Sequence, residues 1–323
     1  MPPATAPTSP TPTSHTPTAV FAAEPDALAE PDALVLQPRD VRFDWSRLPD
    51  PWIPGEPVAS HTINVLHLLL PEGERWFVRV FQRALPMITD GRVREDVLGF
   101  IGQEALHAQA HQGALEHLRA TGLDPDPYLR QLEWLFHQVL GDRPGLPPRR
   151  AREHVVEQVA IIAAVEHFTA FLGDWVLNAD ALDRAGADPV MLDLLRWHGA
   201  EEVEHRSVAY DLLRHLDPGY PRRIRAMALT GPILYWLWIR GARFLMAADP
   251  QLARSRPGGP QRAESWRAFL AASRRGLLPA PGQAVRSGLR YLRRDYHPTQ
   301  EGSTRQAVAY LATSPAARAA AAR

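Results

Sequence analysis

The chain has 323 residues, 36 basic and 36 acidic side chains and no cysteine. The balanced charge gives no overall field that would attract nucleic acid, and the lack of cysteine excludes disulfides, thiolate metal ligands and a cysteine nucleophile. Apolar residues make up 45% of the chain, enough for the core of one large helical domain or two small ones. The opening residues lack the pattern of a secretory signal, so we expect a cytoplasmic location.

Composition divides the chain into three regions. Residues 1–34 are rich in Pro, Thr, Ser and Ala and predict a disordered leader. Residues 35–300 predict a helical domain, which begins with an extended strap over 35–58, and residues 301–323 form an Ala/Arg-rich tail. The nearest approach to a transmembrane span, residues 226–239, is interrupted by Gly and Pro, so we predict none.

The first helix is predicted to begin near Pro71, because proline suits the first turn of a helix, and to run toward Pro86. Glu74 shares its face with apolar residues three, four and seven positions later, whereas Glu72 shares its face with arginines. The apolar face packs on the core, so Glu74 is predicted to point inward and Glu72 toward solvent. A glutamate in a first turn can also act simply on the helix dipole.

A second helix, predicted from Arg92 to Ala120, contains Glu104-x-x-His107, with His111 one turn later on the same face. A long connection over 121–150, with a short helix within it, follows. Such a crossover is typical of a ferritin-like bundle, whereas a simple up-down bundle turns tightly.

The third helix, predicted over 149–178, carries Glu166 in the middle of a strongly apolar run. An ionised carboxylate there is costly unless it is paired or coordinated. Ala163 and Ala170 lie on the same face and would leave room for a substrate or O2 near Phe171, although close helix packing explains these alanines equally well.

A second Glu-x-x-His motif, Glu202 and His205, lies in a fourth predicted helix. A helix turns roughly 100° per residue, so His198, Glu202 and His205 fall on one stripe, and Glu201 and Glu204 point elsewhere. Two such motifs in one chain are the signature of a dimetal site in a bundle core. This fourth helix and the later ones are predicted over the following residues: 189–215, 222–248, 262–276, 281–294 and 304–323.

The predicted metal ligands are four carboxylates and three imidazoles: Glu74, Glu104, His107, Glu166, His198, Glu202 and His205. His198 is either a third nitrogen ligand or a hydrogen-bond partner of a ligand. The same two alternatives apply to His111 and His167, for which the ligand role has less support. Four carboxylates balance two divalent ions, and mixed oxygen and nitrogen ligands suit two iron ions, with manganese as the alternative. Glu104, Glu166 and Glu202 are the predicted catalytic residues.

The order Glu, Glu-x-x-His, Glu, Glu-x-x-His resembles the ferritin-like di-iron carboxylate superfamily. The segments 71–75, 103–107, 201–206 and 296–298 resemble the bacterial family labelled "predicted metal-dependent hydrolase", over roughly residues 58–300. His198 before Glu202 is also similar to the di-iron arylamine N-oxygenases. These resemblances imply an all-α, ferritin-like four-helix bundle with a long crossover and additional C-terminal helices.

From these patterns we expect an O2-dependent di-iron oxidase or oxygenase that acts on a small organic substrate; the sequence does not identify its electron donor. The alternative is a metal-dependent hydrolase that uses a metal-activated bridging water. Iron storage, or a metal-bound scaffold, is a third, non-enzymatic class. A homodimer remains open. The aromatic helix with Trp236 and Trp238 is expected to pack on the bundle or a second copy, with contact to a membrane surface as the less favoured alternative.

Overall fold

The structure, a computed structural model, describes residues 34–255 and 262–323. Within these residues the regular elements are all helices, so the predicted all-α class is confirmed. In chain order the α-helices are α1 (Pro57–Ala84), α2 (Gly91–Ala120), α3 (Asp126–Trp134), α4 (Pro148–Leu177), α5 (Asp180–Arg184), α6 (Pro189–His205), α7 (Val208–Leu216), α8 (Tyr220–Ala248), α9 (Pro250–Ser255), α10 (Arg262–Arg274), α11 (Pro281–Tyr291), α12 (Thr304–Leu311) and α13 (Pro315–Ala321). The predicted leader, apart from Leu34, lies outside the described residues.

A four-helix bundle forms the centre of the molecule. Helix α1 packs along α2, and α4 packs along α6 and α7. The long connection between α2 and α4 holds α3 and one π-helical turn, Leu135–Val139. The helix order and this crossover are those expected of a ferritin-like bundle. Helix α8 then covers α1 and α4 from outside.

The first helix begins at Pro57 rather than near Pro71, so the predicted start was wrong. Pro57 occupies the first helical turn, and Pro71 lies inside the helix, where it removes one backbone donor. Nearly all of the turns before Pro71 are buried against neighbouring helices. This packing holds the helix together across the proline.

The fourth predicted helix, 189–215, is two helices, because the chain breaks at Arg206 and Ser207. The buried guanidinium of Arg206 donates to the Pro298 carbonyl at 3.1 Å and to the Thr304 hydroxyl at 2.9 Å. The break therefore coincides with the point where the C-terminal segment docks on the bundle.

The C-terminal helices α12 and α13 also pack against α6. Among the described residues, α4 is the one helix long and apolar enough to cross a membrane by composition, and 67% of its most apolar window is buried. Helix α4 is thus the central helix of the bundle, and it carries Glu166.

Candidate metal centre

The seven predicted ligands lie together in the middle of the bundle. They form two groups of four, in each of which one ligand atom per residue lies within 4.8 Å of the others. Glu202 belongs to both groups. The first group is Glu74, His107, His198 and Glu202, and the second is Glu104, Glu166, Glu202 and His205.

Helices α1, α2, α4 and α6 each supply part of this constellation. The inward position predicted for Glu74 agrees with the structure, in which this residue is 1% exposed. Glu72 lies on the outer side of α1, where it pairs with Arg79 at 2.8 Å and with His137 at 3.1 Å. Of these two glutamates, the one on the apolar face of α1 points into the bundle and the other points outward.

Three carboxylates surround one nitrogen of His205. Its Nε2 lies 3.2 Å from Glu104 Oε1, 3.3 Å from Glu166 Oε2 and 3.3 Å from Glu202 Oε2. One N–H cannot serve three acceptors. Ligand atoms bound at about 2.0–2.1 Å to a common metal ion lie about 3.0–3.4 Å apart, so this spacing fits a cation between them.

Both carboxylate oxygens of Glu74, Glu104 and Glu166 are buried without a hydrogen-bond partner among the described residues. Desolvated, unpaired carboxylates are costly, and a bound divalent cation removes that cost. The donor set contains oxygen and nitrogen atoms but no thiolate, which suits iron, manganese or a catalytic zinc ion. The residues present therefore fit a pair of divalent metal ions.

Without metal, the site binds protons instead. Burial and neighbouring carboxylates raise the pKa of Glu166 to about 8, and burial raises the pKa of Glu74 to about 7. Burial lowers the pKa of His198, but Glu202 and Glu74 outweigh it and raise that pKa to about 9. Burial would raise the pKa of Glu202, but His205 and His198 lower it well below its usual value. Protons and metal ions thus compete for the same atoms.

Glu201 and Glu204, predicted to point away from the ligand stripe, lie outside both groups and are buried partners of the residues around the site. Glu201 Oε2 lies 2.9 Å from His107 Nε2. Glu204 accepts from the amide nitrogen of Gln103 at 3.3 Å, and the amide oxygen of Gln103 lies 3.0 Å from His205 Nδ1. Such partners fix the orientation and tautomer of a metal-binding imidazole.

The segment before α1 completes this outer layer. Arg39 donates to Glu201 at 2.8 Å and to the two oxygens of Glu204 at 2.9 and 3.1 Å. Trp197 donates to Glu201 at 3.0 Å as well. The predicted surface strap therefore supplies one cation that is shared by two buried carboxylates beside the ligands.

The other two candidate histidines lie outside both groups. His111 Nε2 lies 3.2 Å from His198 Nδ1, and His111 Nδ1 lies 2.8 Å from His67 Nδ1. Burial lowers the pKa of His111 well below its usual value and that of His67 to about 3, which favours the neutral form of both rings. His167 instead joins α4 to the hydroxyls of Ser287 and Tyr296.

An apolar cavity of about 710 Å³ leads from the surface to the first group of ligands. It is lined by α1, α4, α6, α8, α10 and α11, and His198 and Glu202 belong to its lining. Phe171 lines it too, whereas Ala163 and Ala170 are buried and lie outside its lining. A cavity of this size accommodates a small organic molecule.

The fold and site together define a helix-bundle protein with a candidate dimetal centre below an apolar cavity. Residues 37–302 match the family model described as "Predicted metal-dependent hydrolase", and the chain belongs to this family. No curated protein and no solved structure matches the chain. The family description supports a metal-dependent enzyme and favours the hydrolytic alternative over the oxidase expected from the sequence.

Proposed function

We propose that this protein is a dimetal hydrolase that acts on a small, mostly apolar substrate. The observation that carries the proposal is the pair of four-residue groups sharing Glu202 at the inner end of the apolar cavity. The family description supports the reaction type.

The seven residues would divide between two ions. Glu74, His107 and His198 would hold one, Glu104, Glu166 and His205 the other, and Glu202 would bridge them. Two bound divalent ions lower the pKa of a water molecule and polarise an ester or amide carbonyl. Three imidazoles and four carboxylates leave the loaded site close to neutral, which suits its burial.

The protein's own contribution is to bind and orient the substrate. Most of the cavity wall is aliphatic or aromatic, so it favours an apolar body and excludes water. Among the ionisable groups of the described lining, His198 and Glu202 lie at the inner end of the cavity. The reacting group of the substrate would therefore point toward these two residues.

One feature of the same cavity favours oxidation by O2 as a second candidate. Besides His198 and Glu202, the ionisable side chains of its described lining are Tyr235 and Arg243, both exposed at the surface. Hydrolysis needs a proton for the leaving group, and no separate acid stands ready to supply it. Insertion of one oxygen atom from O2 releases no leaving group from the substrate; it takes two electrons from an external donor and two protons from solvent, and it forms water from the second oxygen atom.

Loading the metal-free protein with Zn²⁺, Mn²⁺ or Fe²⁺ under strict anaerobic conditions tests the proposal. We expect hydrolysis of p-nitrophenyl esters with Zn²⁺ or Mn²⁺, faster for longer acyl chains, and a loss of at least about 100-fold in Glu166→Gln. Glu153→Gln, an exposed change on the same helix, is the control. No anaerobic hydrolysis, together with O2 consumption by the Fe²⁺ form in the presence of an apolar substrate, would assign the second function instead.

A further inference from the structure

The outer end of the cavity opens on a rim of apolar side chains that both line the cavity and face solvent. Helices α8, α10 and α11 supply this apolar rim, which consists of Tyr235, Ile239, Trp266, Val285 and Leu289. Val285 and Leu289, one turn apart on α11, are each 59% exposed. The apolar rim is therefore exposed to solvent and also forms the entrance of the cavity.

A second apolar feature lies beside the rim, on the adjacent face of α8. Leu229, Ile233 and Trp236 follow a helical spacing and are 61%, 51% and 56% exposed. With the rim they make up eight of the 13 exposed large apolar side chains of the described residues. Such a concentration at one place is typical of an interaction surface.

The same face is basic, although the whole chain has no net charge. Among the arginines of α8 and α11, Arg223 is buried, and three others pair with carboxylates of other elements: Arg222, Arg225 and Arg290. Arg240, Arg243 and Arg286 are exposed, and the guanidinium of Arg240 lies 5.3 Å from the ring of Trp236. Arginines around exposed tryptophan and aliphatic residues are typical of helices that lie on anionic bilayers.

We infer that this face docks on an anionic lipid surface and that the apolar substrate enters the cavity from the bilayer. The apolar rim and the α8 side chains would reach below the headgroups, while Arg240, Arg243 and Arg286 would meet the lipid phosphates. A second copy fits this face less well, because a symmetric pairing would bring the arginines of both copies together. The source of the substrate rests on the proposed function, whereas the docking itself does not.

Flotation of the full-length protein with lipid vesicles tests the inference. We expect strong binding to vesicles of mixed phosphatidylcholine and phosphatidylglycerol, weak binding to phosphatidylcholine alone, and weaker binding as salt is added. Two triple variants remove the apolar and the basic parts separately, and each should bind at least about tenfold less. They are Leu229→Gln/Ile233→Gln/Trp236→Gln and Arg240→Gln/Arg243→Gln/Arg286→Gln.

Matched controls change exposed side chains on helices that supply no residue to the cavity. Leu98→Gln/Val308→Gln and Arg92→Gln should bind vesicles like the unaltered protein. All these positions are exposed, so circular dichroism should show every variant folded. Absence of binding to anionic vesicles, or an equal loss in the controls, would overturn the inference.

Light scattering tests the alternative that a second copy of this chain binds the same face. A mass of two chains that the apolar triple variant reduces to one, without vesicle binding, would assign the face to a second copy and overturn the lipid proposal. Glu166→Gln should bind vesicles normally, because it alters the metal centre alone. Failure of docking and failure of the proposed reaction are therefore distinguishable.

Discussion

Glu201 Oε2 lies 2.9 Å from Nε2 of His107, and this contact sets which nitrogen of the imidazole faces the metal site. A carboxylate accepts, so Nε2 carries the proton. His107 Nδ1 then faces the ligand group, 3.5 Å from Glu202 Oε1. Burial lowers the pKa of His107, but Glu104, Glu201 and Glu202 outweigh it and raise that pKa well above its usual value, so protons and metal ions compete for Nδ1. Glu201 therefore orients His107 for metal binding.

Glu201→Gln should lower metal affinity by about 10–100-fold, the usual effect of losing the outer partner of a metal-binding histidine. The amide keeps the size of the side chain but loses the negative charge. Competition with a coloured chelator measures the affinity. Glu72→Gln, on the outer side of α1, provides the control; an affinity as high in Glu201→Gln as in this control would contradict the positioning role.

Arg39→Gln should destabilise the protein by about 1.5–3 kcal/mol, the range for hydrogen bonds to charged groups. The change leaves Glu201 and Glu204 without their shared cation in a buried site. Urea unfolding of the metal-loaded protein measures the free energy of unfolding. Arg42→Gln removes an exposed arginine paired with Asp40, and its effect should stay within about 0.5 kcal/mol. Equal effects for the two changes would show that Arg39 has no special role.

The ligands could be placed from sequence because they lie on helices with one buried face. Glu74, Glu104 and Glu166 each share a stripe with apolar residues, so helical periodicity predicts that they point inward. On α6 the predicted stripe of His198, Glu202 and His205 also faces the site. This helix is buried nearly all round, however, so the stripe does not indicate what surrounds Glu201 and Glu204 on its other faces.

Helix boundaries and tertiary partners account for the remaining errors. The rule that proline starts a helix was right but was applied to Pro71 instead of Pro57, because tertiary packing sustains α1 across the second proline. The role of Arg39 depends on a contact with residues more than 160 positions away, which no local pattern reports. The pattern on α8 showed the tryptophans but not that a cavity opens beside them.

Metal-free protein should lose stability as the pH rises from about 6.5 to about 8, above the range in which the lowered pKa values of the buried His67, His111 and His167 offset the loss. The folded-state pKa of Glu74 and Glu166, about 7 and about 8, exceeds the ordinary value of 4.5. Their contribution is therefore complete below pH 4.5 and disappears as the pH rises through the folded-state values. The midpoint of urea unfolding, measured across this range with a chelator present, gives the trend.

The variant Glu166→Gln isolates one of these groups. Without metal, it should equal the unaltered protein near pH 5 and exceed its stability near pH 8, because a neutral amide does not ionise. With metal bound, the order at pH 8 should reverse, since the variant has lost a ligand. A stability difference that does not change with pH in the metal-free state would contradict the assignment of Glu166 to a desolvated acidic cluster.

Gly199→Ala tests the close approach of α4 and α6. A Cβ on Gly199 would lie 2.8 Å from the Cα of Gly173 and 2.8 Å from Cγ1 of Val176, so the helices must separate. Overpacking of this kind costs about 1–3 kcal/mol, and separation also moves Glu202 away from Glu166, so metal affinity should fall with stability. In the control Gly91→Ala, a Cβ meets no atom within 4 Å, and both quantities should stay unchanged or rise slightly. If Gly199→Ala lowers stability but binds metal as tightly as the unaltered protein, the spacing of α4 and α6 does not set the geometry of the site.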